Sequence, residues 1–243
     1  MTTAPTAPEH GVLVGAVGTS RAERTALALT RLERLLGLAA GSLRIARTCP
    51  TCQAAGHGAP SLAWAGSLPA REDHDDGPSS SGRRARAWGR VRGSRSPARP
   101  ALPAVSLSHT AGQAPVTVLA WCAAGADGRA WSVGVDVEDV DSPGTRRALW
   151  PGEDGRCASD AVAFSGEQRA AWDCLPQAAA YAARVEAWCR AEALVKARRT
   201  GFTADPAAVR PGPGEQVLPF TAAEAPGLPE SVRGVLVLAP PTR

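Results

Sequence analysis

Apolar residues along this chain gather in short runs with two distinct periods. Residues 12–17 form an apolar run that predicts a strand, and from about Arg21 to Leu38 the positions Leu27, Leu29, Leu32, Leu35 and Leu36 predict one side of a helix. A short extended piece follows over residues 43–45. Residues 105–108 and 116–122 read as strands, and Asp127-Gly128 closes a hairpin into a third strand over 131–138, so the three are expected at the centre of one sheet. A loop from Ser142 to about Ala161 leads to a helical region that ends in the long pattern 181–199. Gly201 is placed as its C-terminal cap, with arginines in the last turn. The proline-rich tail holds one more strand over 232–238. A faint echo links residues 20–38 with 165–194, each a helix opened by serine and an early glutamate.

Between these ordered stretches, residues 66–100 change to Ser, Gly, Pro, Arg and Asp and lose all periodicity, which predicts a mobile insertion. The chain then divides into residues 1–65, the N-terminal part of a first subdomain; the insertion 66–100; residues 101–130, the remainder of that subdomain and a crossover; and residues 131–243, a second subdomain. At 243 residues with 44% hydrophobic and 21% charged residues, the composition is that of a globular protein with a sizeable core. The apolar runs are too short to span a bilayer and no secretory signal is read at the start, so no membrane partner and a cytoplasmic location are expected.

The formal net charge of +4 raises the question of nucleic acid, but seven arginines lie within residues 83–99. Without them the chain has 20 basic and 23 acidic residues, so the basicity belongs to the insertion and not to the fold. With Trp88 as the sole stacking surface there, a solvated loop is preferred and no nucleic-acid partner is expected. Of the 27 basic residues 26 are arginine, and the lone lysine, Lys196, stands where a compact ammonium does something a guanidinium cannot. Six cysteines without a secretory signal are expected as free thiols. Cys49-Pro50-Thr51-Cys52 with His57 is half of a zinc pattern or a tight loop with buried thiols.

Three segments carry candidate chemistry. In the strand from Trp131 to Glu138 the two-residue period puts Trp131, Val133, Val135 and Val137 on one face, and Ser132, Gly134, Asp136 and Glu138 on the other. Two carboxylates about 7 Å apart, with Gly134 leaving room for a ligand, suit a hard cation such as Mg²⁺; the alternative is an acidic strand end facing water. On the long helix Val185, Trp188, Glu192 and Val195 share a stripe, so Glu192 interrupts an apolar face. It is either a surface pair with Lys196 at i, i+4 or a metal ligand or general base beside a cation that meets phosphate. Ser108-His109-Thr110 ends a strand with groups that bind a phosphate. With no Gly-x-Ser-x-Gly elbow, a hydrolase triad is not expected.

Ser108-His109-Thr110, then Val133-Gly134-Val135-Asp136-Val137-Glu138, then Trp188-Cys189-Arg190-Ala191-Glu192-Ala193-Leu194-Val195-Lys196 with Gly201 resemble, in order and spacing, the 4'-phosphopantetheinyl transferase superfamily, in its long, monomeric surfactin-type branch. The resemblance implies an α+β fold of two similar subdomains with pseudo-twofold symmetry, with the active site at their interface. It implies transfer of the 4'-phosphopantetheine arm of coenzyme A to a serine of an apo acyl or peptidyl carrier protein, releasing adenosine 3',5'-bisphosphate, by a monomer. Asp136, Glu138 and Glu192 would match the Mg²⁺ ligands. Glu192, or Glu167 after Phe164-Ser165, would take the serine proton, and Lys196 would hold the pyrophosphate and protonate the leaving oxygen. Ser108 and His109, with Arg99, would bind the 3'-phosphate. The chain departs from the family at Ala191, where many members have lysine, and at Ala59 in the segment His57-Gly58-Ala59-Pro60. These departures support an alternative, a paralogue that binds coenzyme A or carrier protein without turnover.

Overall fold

A computed structural model describes residues 8–15, 20–48, 54–66, 101–111, 115–203 and 205–241, so Cys49, Cys52, Arg99 and nearly all of the predicted insertion lie outside the described residues. The first half runs β1 (His10–Val14), α1 (Arg21–Leu35), β2 (Leu43–Thr48), β3 (Ala55–Trp64), β4 (Ala104–His109) and β5 (Thr117–Cys122). The second runs β6 (Ser132–Asp139), α2 (Pro143–Leu149), α3 (Asp160–Ala163), α4 (Gly166–Trp172), α5 (Gln177–Arg198), β7 (Gln216–Phe220) and β8 (Val232–Ala239). The fold is α+β, and every strand pairing among the described residues is antiparallel.

The principal sheets have strand orders β1-β5-β4 and β6-β8-β7, with β2-β3 as a separate hairpin. Leaving the β2-β3 pair aside, each half therefore sets down a strand, then its main helix, then two more strands of its principal sheet, and each inserts its last strand in the middle. The turn at Asp127-Gly128 forms as expected, with Arg129 N–H donating to Asp127 Oδ1 at 3.0 Å. It does not close a hairpin, because β5 and β6 belong to different sheets. The turn is local chemistry, whereas sheet membership is decided by the partner strands β1 and β8.

Alternation along the strands distributes the core over three places. One face of β5 (Val118, Ala120, Cys122) packs with Val133, Val135 and Val137 of β6 and with Leu236 and Leu238 of β8, joining the two sheets. The other face of β5 (Leu119, Trp121) receives Ala28, Leu29 and Leu32 of α1. Val235 and Val237 of β8 receive Val185, Cys189, Ala193 and Leu194 of α5. Leu35, expected in the apolar stripe of α1, is the last residue of the helix and is 53% exposed, although it lies on the same side as the buried Ala28 and Leu32.

Capping follows the sequence at one end of the helices and departs from it at the other. Ser20 and Glu23 form a capping box at α1, and Ser165 and Gln168 form another at α4. The echo between residues 20–38 and 165–194 is thus carried by capping boxes, while the topological counterpart of α1 is α5. Helix α5 is capped by Arg199, which takes the left-handed conformation (φ 59°); Gly201, expected as the cap, is left-handed as well (φ 59°) but lies two residues beyond it. Arg198, one residue before the cap, grips Glu215 through two hydrogen bonds of 2.9 and 2.7 Å and ties the helix end to the start of β7.

Inside the second half, Arg184 of α5 is 1% exposed and pairs with Asp160 at 3.1 Å, over the ring of Trp172. Gly155 O and the backbone N–H of Cys157 complete this buried network, which anchors the segment between β6 and α5.

The tightest contact lies between α5 and β6. A Cβ on Gly134 would stand 1.9 Å from Ala193 O and 2.5 Å from Ala197 N, both backbone atoms of α5. The sequence reading of Gly134 as open space for a ligand is therefore corrected: the helix fills that space. We expect Gly134→Ala to cost about 3 kcal/mol or more and to lower the thermal midpoint by at least about 6 °C, as measured by calorimetry, since neither backbone can yield without moving the other.

Candidate active site

The close approach of α5 brings one strand and one helix of the second half against the end of β4. Asp136 of β6 is 5% exposed, and its Oδ1 accepts hydrogen bonds from Lys196 Nζ at 2.6 Å and from Ser108 Oγ at 2.8 Å. Lys196 Nζ also donates to Val135 O at 3.2 Å and approaches Ser108 Oγ at 3.5 Å. Its three N–H groups thus face three acceptors, a seat that suits a compact ammonium and not a planar guanidinium. The i, i+4 surface pair of Glu192 with Lys196 is not what forms: Lys196 turns inward to Asp136.

Two more carboxylates lie within reach of the same charges. Burial pushes the Glu192 carboxyl above the usual carboxylate range, the charge of Asp136 adds to the rise, and Lys196 opposes it. Glu138 is raised in the same direction, by burial first and by Asp136 and Glu192, while the hydroxyl of Thr145 at 2.8 Å and Lys196 act against the rise. The buried Oδ2 of Asp136 has no hydrogen-bond partner. Three carboxylates against one ammonium, with one buried carboxylate oxygen unpartnered, are donors of the type a hard divalent cation takes. Among the described residues no three His, Cys, Asp or Glu side chains close into a metal-holding group by themselves.

On the other side of Lys196 the charge reverses. His109 at the end of β4 exchanges a hydrogen bond with Thr117 Oγ1 through Nδ1 at 2.8 Å. Its pKa is pushed down to about 4, by burial first and then by the charges of Arg21, Arg24, Arg47 and Lys196. These three arginines were not singled out from the sequence. Arg21 and Arg24 carry a weak signal, three apart at the start of α1, but Arg47 reaches His109 only through the fold of the β2-β3 hairpin. These positive charges attract an anion and keep the imidazole neutral until one arrives.

Beside Glu138 a cleft of about 360 Å³ is walled by Ser142, Thr145, Ala148 and Trp188, with Ala111 from the end of β4. Trp188 stacks on Phe202 with ring centres 5.7 Å apart. A second cleft of about 400 Å³, by Pro151, Trp172 and Gln177, holds none of the candidate residues. Glu167 is exposed in the first turn of α4, and among the described residues it has no hydrogen bond or ion pair with the carboxylate group.

Of the residues selected from the sequence, Ser108, Asp136, Glu138, Glu192 and Lys196 come together, with His109 adjoining. Ser108 is buried and turned to Asp136, where the resemblance implies a phosphate ligand. Ala191 is buried, so the position where relatives of the suggested family carry lysine faces the packed interior in this chain. No protein-family model matches the sequence, and no curated protein matches it either.

The charges acting on His109 give a direct test. His109 is expected to titrate at about 4 in the free protein, by the NMR shift of its ring proton. Its folded-state pKa is below the unfolded value of about 6.5, so its contribution to stability is present above that value and is lost as pH falls toward 4. A bound phosphate ester should raise the His109 pKa. In Arg21→Gln the free-state pKa should move toward the ordinary value.

Proposed function

We propose that the protein is a Mg²⁺-dependent 4'-phosphopantetheinyl transferase, which moves the phosphopantetheine arm of coenzyme A to a serine of an apo acyl or peptidyl carrier protein and releases adenosine 3',5'-bisphosphate. The observation that carries this reading is the contact of Lys196 with Asp136, 60 residues apart, with Glu138 and Glu192 within range of both charges. The two motifs behind the family resemblance meet at one place.

The matching strand orders of the two halves support the reading of two similar subdomains about a pseudo-twofold axis. The candidate residues lie where β4 of the first half meets β6 and α5 of the second, which supports an active site at their interface. The protein acts as a monomer in the cytoplasm; no helix among the described residues is long and apolar enough to cross a membrane.

The charges of Arg21, Arg24 and Arg47, with the imidazole of His109, would take the 3'-phosphate of coenzyme A, and Lys196 the pyrophosphate. Asp136, Glu138 and Glu192 would hold the Mg²⁺, which supplies charge neutralisation on the pyrophosphate when bound. The carrier serine oxygen forms a bond to the phosphorus that bears the pantetheine arm, and the bond from that phosphorus to the bridging oxygen breaks. Glu192 accepts the serine proton. Lys196 stands on the leaving side and supplies a proton or hydrogen bond to the oxygen of adenosine 3',5'-bisphosphate. Positioning and electrostatics carry the rate, and no covalent enzyme intermediate is formed.

A second reading, a paralogue that binds coenzyme A or carrier without turnover, is supported by the buried Ala191. One experiment separates the two. Apo carrier proteins are incubated with the protein, coenzyme A and Mg²⁺ and weighed by intact-protein mass spectrometry. A phosphopantetheine mass gain is expected, abolished by EDTA and reduced at least about 100-fold in Glu192→Gln. Coenzyme A binding with no gain on any carrier would favour the second reading.

A further inference from the structure

The strands β4 and β6 lie side by side at the junction of the two sheets without a backbone ladder between them. Two serines spaced two apart on β4 take the place of carbonyls: Val135 N–H donates to Ser106 Oγ at 3.1 Å and Val137 N–H to Ser108 Oγ at 3.3 Å. Both serines are buried, 3% and 5% exposed. As joints they are equivalent, each satisfying one buried amide of β6.

Only one of them does more. Ser108 donates its single hydroxyl proton to Asp136 Oδ1 at 2.8 Å and faces Lys196 Nζ at 3.5 Å, while among the described residues Ser106 has no carboxylate or ammonium partner. The hydroxyl of Ser108 is thus fully used: one donated bond, one accepted from the backbone and one from the ammonium. Two donors fix Oδ1 of Asp136, while Oδ2 is buried without a geometric hydrogen bond of its own, in a carboxylate that also faces the buried Cys189 thiol. A carboxylate with one oxygen held in this way has a defined direction before any cation arrives.

We propose that Ser108 is a positioning residue. It reaches across the joint from the first half of the chain, holds the Asp136 carboxylate of the second half in one orientation for a divalent cation, and sets the place of Lys196. This role differs from the phosphate contact that the family resemblance implies for Ser108, and it rests on the transferase reading only in taking Asp136 as a cation ligand. Groups that orient a metal ligand from behind change affinity by about 10- to 100-fold when removed.

Ser106 supplies the matched control, because Ser106→Ala orphans an amide at the same joint without touching Asp136. Mg²⁺ and Mn²⁺ binding to the chelator-treated full chain is measured by titration calorimetry, with thermal midpoints alongside. Both Ser106→Ala and Ser108→Ala should lower the midpoint, Ser108→Ala by more because it also removes a donor from the buried Asp136. Ser108→Ala alone should weaken cation binding at least about tenfold, Ser106→Ala should stay within about twofold of the parent, and Ser108→Thr should restore most of the affinity. Equal losses in Ser106→Ala and Ser108→Ala, or in Ser108→Ala and Ser108→Thr, overturn the proposal, as does a Ser108→Ala affinity equal to the parent's. A parent protein that binds neither cation overturns the metal reading itself, and this role of Ser108 with it.

Discussion

Helix α5 rests on β6 with no side chain between them at Gly134, where the backbone of Ala193 and Ala197 comes within the space of a single missing methyl group. Everything at the candidate site depends on that approach. It is made by small residues one turn apart on the helix meeting a glycine on the strand, and it sets the height at which Lys196, one residue before Ala197, passes the strand. From there a four-carbon side chain reaches Asp136 two residues along, with its ammonium among three acceptors. A helix held farther off by a methyl group would leave the aspartate buried and unmatched, a cost that few small domains absorb.

The same constraint explains the electrostatics. Asp136, Glu138 and Glu192 are kept near one another in partly buried positions where like charges repel, and both glutamates respond by rising above the ordinary carboxylate range. The fold tolerates this because the Lys196 charge lies within range of both glutamates while its ammonium is bonded to Asp136. Charge therefore changes sign across a few side chains, from cationic at the start of α1 to anionic at the end of β6. A ligand with several phosphates can be neutralised partly by protein cations and partly by a metal on the carboxylates.

The grouping of candidate residues in the second half was largely legible in the sequence, because it depends on period. Asp136 and Glu138 share a strand face and Glu192 and Lys196 lie one helical turn apart, whatever the fold around them. What packs on those faces was not legible. Gly134 looks the same whether it admits a ligand or a helix, and only the position of α5 decides. Strand β7 was hidden by Pro219, which is tolerated because β7 is an edge strand, and β3 was hidden by its glycines and Pro60. The group of arginines acting on His109 needed α1, the β2-β3 hairpin and β4 to be folded before it existed. The turn at Asp127-Gly128 was read correctly as a turn and wrongly as a hairpin, since local backbone chemistry does not specify which sheet the next strand joins.

The seat of Lys196 has one further consequence, for the chemical reactivity of the chain. As the single lysine of the sequence, it carries the only side-chain primary amine, and it is 30% exposed beside the candidate site. Any amine-directed acylation of a side chain, by a reagent or by an activated acyl donor, has this one address. Covalent labelling of the folded protein thereby becomes a readout of a single hydrogen-bonded seat, with no background from other lysines to subtract.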